Sequence, residues 1–93
     1  MPYIKKEDCK IPDETIGTLV PLTVGDLNYC ITMLCNNYLK DKGLRYKHIN
    51  DIIGVLECAK MELYRRVGAI YEDECIWKNG DCFPIELIKP DPK

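Results

Sequence analysis

Residues 1–93 make one small domain, because domains rarely divide below about 100 residues, and a chain this short buries only about 60–65% of its unfolded surface. Apolar residues at 46% and charged residues at 30% exclude a disordered chain. Thirteen Lys and Arg against fifteen Asp and Glu leave a net charge of −2, which argues against DNA or RNA backbone binding, whose affinity comes from clustered excess cation.

Residues 1–22 read as an irregular arm punctuated by Pro2, Pro12, Gly17 and Pro21. At most a short helix fits there, with Pro12 in its first turn and Asp13 and Glu14 at its positive end. A helix over 26–42 follows, capped by Thr23 or Asp26. Leu27, Ile31, Leu34 and Tyr38 form its apolar stripe, and Gly43 stops it behind Lys40 and Lys42. The longest pattern runs through Ile49, Ile52, Leu56, Ala59, Leu63, Val67 and Ile70 and predicts one helix over 47–77. Asn79-Gly80-Asp81 reads as a turn, and the tail 83–93, with three prolines, is extended or disordered, with Ile85, Leu87 and Ile88 available for docking.

The fold expected is therefore all-α: an antiparallel helical hairpin with one long C-terminal helix and an irregular N-terminal arm. A short turn between the helices sets Cys30 level with Cys58, and Leu34 level with Ile53 or Val55. Only the first half of the long helix is then covered, and Leu63, Val67, Ile70, Tyr71 and Trp77 stay bare in a monomer. Either the arm or a second chain covers such a stripe, and a homo-oligomer is the expectation. Residues 27–50 carry +3 and residues 69–93 carry −3, which makes either two solvated faces or complementary subunit surfaces.

Six cysteines, Cys9, Cys30, Cys35, Cys58, Cys75 and Cys82, would suggest a disulfide framework in a secreted protein. The opening stretch MPYIKKEDCK lacks the apolar segment of a signal peptide, and no run approaches the ~18 apolar residues of a membrane span. A soluble chain of the cytoplasm with free thiols is expected. No Cys-x-x-Cys is present and His48 is the single histidine, so neither metal nor cofactor is expected.

Gly54 and Gly68 lie about four turns apart on one side of the long helix, for close packing across an interface or for a ligand approaching the backbone. Glu62 with Arg65 and Arg66 has ordinary surface-pair spacing. Glu57 stands in the most apolar stretch of the chain, so it is either paired, with Lys60 or Arg65, or part of a site. The hairpin register brings Asn28, Tyr29 and Thr32 level with residues 57–61. The candidate ligand-binding set is therefore Tyr3, Asn28, Tyr29, Thr32, Asn50, Glu57, Arg65 and Arg66, with no catalytic residue in it. No phosphate loop, zinc-protease motif or nucleophile elbow occurs.

Pro2-Tyr3-Ile4, Gly25-Asp26-Leu27-Asn28-Tyr29 with Ile31-Thr32, Ile53 through Lys60, Tyr64-Arg65-Arg66, Tyr71-Glu72-Asp73 and Asn79-Gly80-Asp81 together resemble a family of short proteins of unassigned function. Such proteins are common in bacteriophages and in bacterial and archaeal genomes. The resemblance covers about residues 1–83. This chain departs from it in its irregular stretch 11–22, its tail after Phe83, and Gly68, where relatives carry a bulkier residue. No activity comes with the resemblance. It implies a small helical protein of the kind phages encode, acting in the host cytoplasm. By analogy with small oligomeric phage proteins, it implies a non-enzymatic binder that sequesters a nucleotide-like ligand. Tyrosines would stack on a base, Arg65 and Arg66 would meet phosphate, and Asn28 and Asn50 would read polar edges. The alternatives are a protein-interaction or scaffolding module using the apolar stripe, and a small enzyme of unknown reaction.

Overall fold

The computed structural model describes residues 3–83. Within them the chain is all-helical, in the order α1 (Asp13–Gly17), α2 (Val24–Lys42), α3 (Tyr46–Leu63), a π turn (Tyr64–Gly68) and α4 (Ala69–Asn79). A single 3₁₀ turn at Lys6–Asp8 precedes them, and no strand occurs among the described residues. The segment Ile85, Leu87 and Ile88, expected to dock, lies outside those residues. The chain divides into two compact units, Met1–Ala59 and Lys60–Lys93, and the boundary falls within α3.

The first unit holds the arm and the two helices α2 and α3 as far as Ala59. In the arm, α1 starts after Pro12 in an extended conformation, as a proline at a helix entry allows. Helix α2 begins at Val24, two residues before the expected start, because Thr23 is the cap: its Oγ1 accepts from the Asp26 backbone N–H at 3.0 Å. It ends at Gly43, whose φ of 104° is open to glycine and strained for other residues, and whose N–H donates to the Leu39 carbonyl. The turn is fastened by side chains. His48 Nδ1 lies 2.9 Å from the Gly43 carbonyl, which can only accept, so the ring carries its proton on Nδ1. Tyr38 meets the same imidazole edge to face at 6.4 Å, and Lys42 Nζ lies 6.0 Å above the Tyr38 ring.

The second unit carries the end of α3, the π turn and α4. The sequence pattern predicts one unbroken helix over 47–77. The helical backbone does run from Tyr46 to Asn79, but the five residues Tyr64–Gly68 are wound as a π turn, with Ala69 N–H donating to the Tyr64 carbonyl five residues back. Periodicity does not reveal such a turn, since one residue absorbed in place shifts the stripe without ending it. Gly80, at φ 94°, stops α4, and Asp81 Oδ1 accepts from the Phe83 N–H in the turn beyond.

No described side chain is buried. Leu34 and Val55, which should pack against each other, are each 57% exposed. Leu63, Val67, Ile70, Tyr71 and Trp77 are exposed as the stripe argument expects. No helix among the described residues is long and apolar enough to cross a membrane.

Candidate functional site

An open cleft of about 340 Å³ lies between α2 and α3 in the first unit. Ile31, Leu34, Cys35 and Tyr38 form one wall, and Asp51, Ile52, Val55 and Leu56 form the other. Each wall is one helical face, spaced by three, four or one residues along its helix. Leu34 and Val55 share the cleft, in agreement with the expected register. Large apolar side chains line the cleft without being buried in it. Asp51 is the charged group of the lining, and Lys47 stands 3.5 Å from its carboxylate one turn earlier.

The expected ligand-binding residues occupy other ground. Asn28, Tyr29, Thr32, Asn50 and Glu57 are exposed and none lines the cleft, although Thr32, Asn50 and Glu57 are chain neighbours of the lining residues Ile31, Asp51 and Leu56. Tyr3 is exposed in the arm. In the second unit Arg65 holds Glu62 through Nη2 at 2.9 Å, and Arg66 Nη1 stands 3.8 Å from the same carboxylate. This is the surface pairing that the spacing predicts. Glu62 is the sheltered partner, its side chain 22% exposed.

Sequence reasoning missed a second constellation. Tyr64 donates its hydroxyl proton to Glu72 Oε1 at 2.8 Å, across eight residues. In an α-helix those residues would stand about 80° apart around the axis, and the extra residue taken up by the π turn brings them within about 20°. The Tyr64 ring lies over Gly68: a Cβ there would stand 2.8 Å from its Cδ1. The bond to the carboxylate, and then the charge of that carboxylate, hold the Tyr64 pKa above its ordinary value of 10.0. Gly68 inside a helical run was the available signal. Gly54 has nothing within 4 Å of a Cβ position, so the two glycines serve different surroundings rather than one shared approach.

All six cysteines are free, with Cys30, Cys35 and Cys75 half-buried and the others exposed. Among the described residues, no three His, Cys, Asp or Glu side chains gather as metal ligands would.

No curated protein and no solved structure matches the chain. Residues 1–82 match a family described as a domain of unknown function, DUF6899. The match spans all but the last eleven of the 93 residues, and the chain is a member of that family.

Proposed function

We propose that this chain is a non-enzymatic protein-interaction module whose α2–α3 cleft receives an amphipathic helix. One observation carries the reading: two apolar helical faces, joined by a fastened turn, line one cleft in which Leu34 and Val55 stay exposed. A helix laid in such a groove offers side chains at i, i+3, i+4 and i+7 to both walls at once. Burying each large apolar side chain there is worth about 1.5–3 kcal/mol. The nucleotide-like ligand has weaker support, because a phosphate entering this cleft would meet the Asp51 carboxylate, and Arg65 and Arg66 are both directed to Glu62.

The test is a fluorescence-anisotropy titration with a labelled synthetic helix carrying leucines at i, i+3, i+4 and i+7. A thermal-shift series with mononucleotides and cyclic dinucleotides runs beside it. Saturable peptide binding that Leu34→Asp abolishes, with helicity intact by circular dichroism and no shift from nucleotides, is the expected result. Nucleotide stabilisation without peptide binding would replace this reading with the sequestering one.

A further inference from the structure

We infer that the π turn Tyr64–Gly68 is the latch of an element with two registers, held in the π register by the Tyr64–Glu72 hydrogen bond. Releasing that bond lets the same residues wind as α-helix, which turns α4 by about 100° about the helix axis and joins the two halves of an apolar stripe. The device lies wholly within the second unit and stands apart from the cleft and its occupant.

The apolar pattern is written for the α register. In a continuous α-helix Leu63 and Ile70, seven residues apart, fall within about 20° of one another, with Val67 about 40° from Leu63. The π turn takes up one residue between them, so Ile70 stands about 120° from Leu63 instead. Trp77 goes with Ile70, because both belong to α4 and are seven residues apart. Leu63, Val67, Ile70 and Trp77 are all more than half exposed, so burial of the stripe does not set the register.

Local contacts set it. The Glu62 pairs with Arg65 and Arg66 have α-helical spacing and suit either register. The Tyr64–Glu72 bond does not: its residues stand about 80° apart around an α-helix and about 20° apart across the π turn, so the 2.8 Å contact belongs to the π register alone. Gly68 supplies the rest of the latch, because a Cβ there would stand 2.8 Å from the Tyr64 ring. Both partners of the bond are exposed, where water competes for it. One exposed hydrogen bond and one ring over a glycine bias the register only slightly, toward a winding that is rare beside the α-helix, and both states are then within reach. The latch decides whether the stripe is presented whole or divided.

NMR couplings across the backbone hydrogen bonds test this on the full chain, with circular dichroism reporting helicity for every variant. In the wild type the Ala69 N–H should couple to the Tyr64 carbonyl, the bond of the π register. Tyr64→Phe removes the hydroxyl and keeps the ring, Glu72→Ala removes the acceptor, and Gly68→Ala places a methyl group where the ring lies. In each variant the coupling from Ala69 to the carbonyl of position 64 should fall to less than half, and a coupling to the Arg65 carbonyl should replace it. Gly68→Ala has helix propensity in its favour, so it decides the matter where another variant loses helicity. A coupling to position 64 that persists in any folded variant overturns the inference, as does a wild type whose Ala69 N–H couples to Arg65. Peptide binding at the cleft is read separately by the anisotropy titration.

Discussion

Replacing Gly68 by alanine sets two effects against each other that different instruments can read. Gly68 has helical dihedrals, φ −62° and ψ −48°, so alanine is free of backbone strain there. On propensity alone the change stabilises the helix by about 1 kcal/mol, which raises the melting temperature by about 4–8 °C in a domain of this size. The new Cβ, however, would stand 2.8 Å from Tyr64 Cδ1 and 3.3 Å from Cε1. Those atoms belong to the body of a ring, which must swing aside as a unit. Swinging it carries the hydroxyl away from Glu72 and opens the 2.8 Å hydrogen bond. Gly68→Ala should therefore melt no lower than wild type, while the Tyr64 phenol, followed by carbon NMR of its ring, titrates at its ordinary value instead of above it. A Gly68→Ala protein whose Tyr64 still titrates high would show that the ring does not lie over Gly68. A clear fall in melting temperature would show that the close approach, rather than propensity, dominates at this position.

Tyr64 in the wild type holds its proton more tightly than an unfolded tyrosine, so its contribution to stability is intact below about pH 10 and is lost as pH rises through the raised value. Glu72→Ala should bring the titration back to the ordinary range, and an unchanged midpoint would refute the assigned bond. Thr23→Ala removes the one side chain that caps α2 and should cost about 1 kcal/mol by urea denaturation; an unaltered midpoint would assign the helix start to another residue. Gly54→Ala should stabilise by up to about 1 kcal/mol, because open space surrounds its Cβ position. A loss of stability that grows with protein concentration would instead place another chain against Gly54.

Much of the fold was legible because capping and periodicity are local. Thr23, Gly43 and Gly80 mark their boundaries through side-chain and backbone chemistry that acts within a few residues, and the stripe Leu27, Ile31, Leu34, Tyr38 repeats with the helical period. The π turn was not legible. Leu63, Val67 and Ile70 keep steps of four and three through it, so the apolar pattern tolerates the added residue, and Tyr64 with Glu72 has no α-helical spacing to flag it. The cleft was hidden for a different reason. The hairpin register sets Leu34 level with Ile53 or Val55, and apolar faces set level normally touch, so nothing in the pattern marks a cavity there. Pattern identifies which faces are apolar; the distance between facing walls depends on packing that sequence does not encode locally.

The reactivity of Cys35 tests the central claim most directly, because its thiol stands on the cleft wall while Cys9 and Cys82 are exposed elsewhere. Alkylation rates of individual cysteines, read by mass spectrometry, should show the half-buried Cys35 reacting measurably in the chain alone, with exposed Cys9 as the internal standard. With the synthetic leucine helix at saturation Cys35 should become at least tenfold slower, while Cys9 and Cys82 keep their rates. A Cys35 rate that the peptide leaves unchanged, relative to Cys9, would contradict the account by showing that no helix enters the cleft.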